Sequence, residues 1–306
     1  SMSTHTTMFR HGKRFLTPMW RCDSASRNIL AANNLQSASG PRIRYHALSF
    51  MIFYIWGKMV LRVFVFTLSE GKTMPLTVER RRGLILVLAL VCFGLVISLI
   101  SGITNFDMSS SSRFYSNDSG AGHWPVGKSF PFSFLYRYGE IPGLALGIFA
   151  LGGFVLTRLR RISKRYSSAF LVMVFTVILG PGLAVNGILK EHWGRPRPAD
   201  IIEFGGSESY RDFWRPGGTG SGKSFVCGHC AIAFSTCSIV ALYPIHPVLA
   251  SVGLGAGLIF GGLVSLARVA QGGHFPTDIV WSAVIVLSTI TLLYYFVFRV
   301  PERCDS

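Results

Sequence analysis

The side chains in this chain best suited to chemistry are Lys190, Arg195, Arg197, His229, Arg268, His274 and Asp278, which occur where long apolar runs meet polar loops. Basic groups of fixed charge suit a dianionic phosphate, and arginine adds a planar fork of donors that matches its oxygens. Two histidines can divide the remaining work between nucleophile and general acid. His274 and Asp278 are four apart, so a helical start to the next segment would put them on one face. The carboxylate would then hold the imidazole N–H, fix the tautomer and stabilise positive charge on the ring. Taken singly, each of these residues is better explained as a side chain snorkelling to an interface. The spacing carries the reading.

That spacing is specific. Lys190 to Pro198 (KEHWGRPRP) fits Lys-x6-Arg-Pro, and Arg268 to Asp278 (RVAQGGHFPTD) fits Arg-x5-His-x3-Asp. Between them Val226-Cys227-Gly228-His229 stands where a Pro-Ser-Gly-His element is expected. Three motifs in this order, each beside an apolar run, resemble the type-2 phosphatidic acid phosphatase superfamily, from about Leu84 to Phe298. The resemblance implies that Lys190, Arg197 and Arg268 bind the phosphate oxygens, with the backbone N–H of Gly228 as a further donor. It implies that His274 attacks phosphorus, that Asp278 orients it, and that His229 protonates the leaving oxygen and then activates water. It implies no metal and no other cofactor, because fixed donors stabilise the transferring phosphoryl group. Two positions depart from the pattern: Cys227 replaces a serine whose hydroxyl would donate to phosphate, and Ala267 replaces a frequent serine. A thiol is the weaker donor, so the phosphate contact of Cys227 is in doubt.

These residues need elements to position them, and the composition says of what kind. Half of the 306 residues are hydrophobic and 14% are charged, against about a quarter charged in a soluble domain. Six runs approach the length that crosses a bilayer: Leu84–Ile103, Ile141–Thr157, Ala169–Leu189, Phe225–Tyr243, Val248–Ala267 and Ile279–Phe298. The expected fold is all-α, an integral membrane bundle of about six transmembrane helices with an outward-facing active site. Gly143, Gly147, Gly253, Gly257 and Gly261 are spaced for close helix packing, and Gly180-Pro181-Gly182 should bend the third span. Arg158, Arg160, Arg161, Lys164 and Arg165 crowd one short connection, with Arg80–Arg82, Arg299 and Arg303 on the same side. By the positive-inside rule that side is cytoplasmic, which puts the loops Thr104–Glu140, Lys190–Ser224 and Arg268–Asp278 outside. Residues 1–73 read as an N-terminal extension, polar and disordered over Thr4–Arg44, with an interfacial helix over Ala47–Leu68 because Lys58 and Arg62 interrupt that run. Residues 74–306 read as the membrane domain.

Several other readings are excluded or set aside. A net charge of +16 matches topology and anionic lipid rather than nucleic acid, since no basic face is interleaved with stacking aromatics. Gly217 to Ser224 (GGTGSGKS) satisfies the P-loop pattern letter for letter, but an apolar span rather than a strand-loop-helix unit surrounds it. Cys227-Gly-His-Cys230 has redox spacing without a thioredoxin-like setting, although a disulfide there would disturb His229. The six cysteines form no disulfide framework and no recognisable zinc ligand set.

The functional expectation is a membrane lipid phosphatase acting on a phospholipid or glycolipid phosphomonoester, of the lipid A or phosphatidylglycerophosphate type, through a phosphohistidine. Alternatives are a lipid phosphotransferase, a polyprenyl pyrophosphate phosphatase, or a lipid-phosphate binding or transport protein impaired at Cys227. The expected location is a bacterial inner membrane with the site facing the periplasm. The sequence does not set an oligomeric state.

Overall fold

The computed structural model describes residues 77–117, 123–218 and 220–301. The extension expected over residues 1–73 and its interfacial helix lie outside the described residues, as do Cys22 and Cys304.

The described residues are helical, with one isolated bridge between Ile201 and Glu208 and no strand. Helix α1 spans Val78–Thr104, the short α2 Phe106–Ser112, the short α3 Phe132–Tyr138, and α4 Ile141–Arg158. Helix α5 covers Lys164–His192, α6 Gly228–Leu242, α7 Pro247–Ala270 and α8 Pro276–Val297. Among the described residues five helical stretches are long and apolar enough to cross a bilayer: α1, α5, α7, α8, and α3 run on into α4. Their outer faces carry exposed Ile85, Phe93, Ile148, Phe149, Val252 and Ile259, an amount of open apolar surface that a protein meeting only water does not carry.

The fourth expected run, Phe225–Tyr243, falls short of the others. It forms α6, which is α-helical over Gly228–Phe234 and tightens to a 3-10 helix over Ser235–Leu242. At the usual rises it reaches roughly 26 Å, less than the ~30 Å hydrocarbon core. It needs no lipid-facing length, because α7, α5 and α8 pack around it. The glycine stripe of α7 makes the closest of these contacts: Gly253 faces Ile239, Gly257 faces Cys237, and Gly261 lies under the ring of Phe234. From the other side Gly143 of α4 abuts the carbonyl oxygen of Ile232.

Pro181 lies within α5, where the helix changes type rather than ending. A proline has no N–H and crowds the carbonyl four residues earlier. Here the helix widens to π geometry over Ile178–Leu189, which makes room for the ring. The side-chain amide of Asn186 donates to the Pro181 carbonyl (2.9 Å). The widened segment delivers Lys190 and the loop after it to the end of the bundle where α7 finishes and α8 begins. On the far side of α8, α1 is held by its buried small residues, where the indole N–H of Trp281 donates to Ser98 Oγ (3.0 Å) and Gly94 lies against Val284.

Candidate active site

Helix α8 begins with Pro276 at its first position and Phe275 as its N-cap, which suits a proline because the missing N–H would have no helical partner. His274 therefore precedes the helix instead of sharing a face with Asp278. Asp278 sits three residues beyond the cap and its Oδ2 accepts the Phe275 N–H (2.9 Å). Its other contacts are with Arg195, which donates to Oδ1 (2.6 Å), and with the Ser224 hydroxyl, which donates to Oδ2 (2.6 Å). The His274 Nδ1 is 3.9 Å from Oδ2, outside hydrogen-bond reach. Its proton goes to the backbone oxygen of Ser224 (2.5 Å). That bond fixes the tautomer and leaves the lone pair on Nε2. Ser224 thus links the two residues, its carbonyl holding the ring and its hydroxyl holding the carboxylate.

His274 is 2% exposed, and burial is the main reason its pKa lies well below the ordinary histidine value. The charge of Arg268 adds to this, as do those of Arg197 and Lys190, while the bond to Ser224 opposes it. The same three cations bear on His229. Lys190, Arg197, Arg268, His229 and His274, spread over 85 positions of sequence, are therefore electrostatic neighbours. The Nε atoms of Arg197 and Arg268 are buried with no protein acceptor. A buried guanidinium donor left unpaired is costly, and an anion with several acceptor oxygens would satisfy both. Gly228 opens α6, where backbone N–H groups lack partners in their own helix. Arg197 and Arg268 also line a cavity of about 480 Å³ with Trp124, Lys128, Tyr136 and Gln271.

Cys227 takes no part in this donor set through its sulfur. Cys227 and Cys230 are joined as a disulfide, and the Cys227 sulfur also accepts the Cys230 N–H (3.2 Å) as the cap of α6. The backbone N–H of Cys227 donates to Ser282 Oγ (2.9 Å). The side chain is buried against the core, so position 227 anchors the helix that carries His229.

Residues missed in the sequence complete the site. Asp107 on α2 accepts from Arg195 (2.7 Å), from the Thr277 hydroxyl (2.6 Å) and from the Thr277 N–H (3.0 Å). Arg195 is fully buried between Asp107 and Asp278 and lies over the ring of Phe275. Burial alone would lower its pKa, yet the two carboxylates outweigh that and hold it above the ordinary arginine value. Around His229, Glu140 Oε1 lies 3.2 Å from Nδ1 and the Tyr136 ring stacks at 5.1 Å, with the Arg268 guanidinium over the same tyrosine. In the sequence Ser224 ends both the P-loop pattern and the loop Lys190–Ser224, and neither marks it as a contact of His274. Lys223 of that pattern pairs with Glu191 (2.7 Å), and no strand leads into it among the described residues.

The chain is 28% identical over 234 residues to the lipid A 4'-phosphatase of Francisella tularensis subsp. novicida (strain U112), an alignment that covers 69% of this chain and 97% of that protein. It is 32% identical over 136 residues to the lipid A 4'-phosphatase of Rhizobium leguminosarum, covering 40% of this chain and 53% of the relative. No solved structure matches the chain. The sequence model of the PAP2 superfamily matches residues 165–302, which contain Lys190, Arg197, His229, Arg268, His274 and Asp278. The chain carries a PAP2 superfamily domain over those residues.

Proposed function

We propose that the protein is a membrane phosphatase that hydrolyses a phosphomonoester on a lipid A-type glycolipid, and that the reaction runs through a phosphohistidine on His274. The observation that carries the reading is the convergence of three cations on two histidines, with the buried Nε donors of Arg197 and Arg268 unpaired. The choice of lipid rests on the relatives, which are named lipid A 4'-phosphatases.

The neutral Nε2 of His274 attacks phosphorus as the bond to the sugar oxygen breaks. The departing oxygen takes a proton from His229, and Lys190, Arg197, Arg268 and the Gly228 N–H hold the charge that spreads over the equatorial oxygens. Neutral His229 then takes a proton from water as the water oxygen attacks phosphorus. The P–N bond breaks, inorganic phosphate leaves, and both histidines return to their starting states. Asp278 acts on the nucleophile through Ser224, fixing the carbonyl that receives the Nδ1 proton. The basic cluster Arg158–Arg165 marks the opposite end of the bundle as cytoplasmic, which favours a site opening to the periplasm of a bacterial inner membrane.

The test is phosphate release from lipid A, phosphatidylglycerophosphate, phosphatidic acid and a polyprenyl pyrophosphate by the purified chain and by His274→Ala. Lipid A should be the best substrate, and the variant should lose nearly all turnover on it. Undiminished release by His274→Ala would overturn the nucleophile. A new phosphorylated lipid in place of free phosphate would make the protein a transferase.

A further inference from the structure

His229 is surrounded by positive charge. Burial disfavours a proton on its ring, and Arg268 on α7, Lys190 on α5 and Arg197 in the following loop add to this. A general acid has to carry that proton into the reaction. Among the described residues one carboxylate touches the ring: Glu140, in the link between α3 and α4, with Oε1 3.2 Å from Nδ1. Glu140 belongs to the phosphate cluster, because its charge also bears on Lys190 and Arg268. Tyr136, one turn earlier on α3, closes the face of the ring at 5.1 Å and carries Arg268 above it. The short helix α3 and Glu140 therefore form a clamp on His229, built from a segment that precedes the PAP2 match.

We propose that Glu140 is the positioning residue for proton transfer to the leaving oxygen. Its carboxylate accepts the Nδ1–H of His229, which frees Nε2 for the substrate, and its negative charge opposes the three cations that disfavour the proton the ring must carry. Tyr136 keeps the ring plane fixed while this happens. The inference rests on His229 being the general acid in the proposed function, and it adds a carboxylate partner to each histidine: Asp278 through Ser224 for the nucleophile, Glu140 directly for the acid.

The experiment uses the full chain in detergent and compares a lipid phosphomonoester, whose alkoxide leaving group needs a proton, with p-nitrophenyl phosphate, whose phenolate does not. Glu140→Gln keeps the shape and an acceptor oxygen and removes the charge. On the lipid it should lose roughly tenfold or more in kcat/KM, and the alkaline limb of the pH profile should move to lower pH. On p-nitrophenyl phosphate kcat/KM, which ends with release of the phenolate and so excludes the water step that also uses His229, should stay within about threefold of the native chain, and Glu140→Asp should recover part of the loss on lipid. His229→Ala should show the same dependence on leaving group, and adding Glu140→Gln to it should cost nothing further. Equal losses on both substrates with an unmoved alkaline limb would reduce Glu140 to a structural contact. Additive losses in the double variant would overturn the proposal in the same way. If His229→Ala itself lacked leaving-group dependence, the general-acid assignment would fail and this inference with it.

Discussion

His274 and Cys227 show how much a single side chain's setting changes its chemistry. A nucleophilic imidazole must be neutral, and burial together with Arg268, Arg197 and Lys190 keeps His274 neutral to lower pH than an ordinary histidine. The sign follows directly. The reactive form is the deprotonated one, so a lowered pKa extends activity toward acid. The kcat/KM profile, corrected for the second ionisation of a phosphomonoester near about pH 6, should therefore show no acid limb at the ordinary histidine value of ~6.5. A limb at that value would mean that His274 is solvated or unused. Cys227 makes the opposite point, because its sulfur is committed to Cys230 and to capping α6. Serine caps helices well, so Cys227→Ser retains the cap and frees a hydroxyl hydrogen for phosphate. Its kcat should equal or exceed the native value, and a loss of about tenfold would show that the disulfide is needed to hold His229.

At the scale of elements, the site depends on how closely α6 approaches its neighbours. Gly143 packs against a backbone carbonyl, that of Ile232, which cannot swing aside as a side chain can. Gly152, two turns or so further along α4, has nothing near the position a Cβ would take. Gly143→Ala should cost about 1–3 kcal/mol by overpacking and displace α6, lowering the melting temperature in detergent together with turnover. Gly152→Ala should leave both unchanged or slightly improved, since alanine is the better helix former. Equal behaviour of the two variants would mean that the α4–α6 contact is looser than described. The sequence made much of this legible. The small-residue stripe on α7 was read as a packing face, and it meets Ile239, Cys237 and Phe234 in order. The length of α6 was not legible, because hydropathy reports that a segment avoids water and not whether it meets lipid or protein. The start of α8 was readable in principle from Pro276, which marks a first helical position. Reading it would have separated His274 from the helix that carries Asp278.

At the scale of the molecule, the motif residues were legible because their spacing is local, whereas Asp107, Glu140 and Tyr136 were not, because only the fold brings them to the site. Asp107 lies 88 positions before Arg195 and 170 before Thr277, too far for any spacing rule. Its place explains how the first span is tied to the chemistry. Arg195 joins Asp107, after α1, to Asp278 of α8, and both carboxylates are buried. Removing Asp107 leaves Arg195 paired with Asp278 but strands the buried Thr277 N–H and hydroxyl and one guanidinium donor, and each buried donor left unsatisfied costs about 1–3 kcal/mol. Asp107→Ala should therefore destabilise the protein strongly, while Asp107→Asn, which keeps acceptor oxygen for Thr277 and Arg195, should destabilise it less. The consequence for function is specific. Asp278 would keep Arg195 to itself in Asp107→Ala, so its hold on Ser224, and through Ser224 on the Nδ1 proton of His274, is what the loss of Asp107 would test. If the folded fraction of Asp107→Ala turns over lipid phosphate at the native kcat, the network serves only to attach α1. A kcat that falls along with stability would make the Asp107–Arg195–Asp278 chain the means by which the first span sets the orientation of the nucleophile.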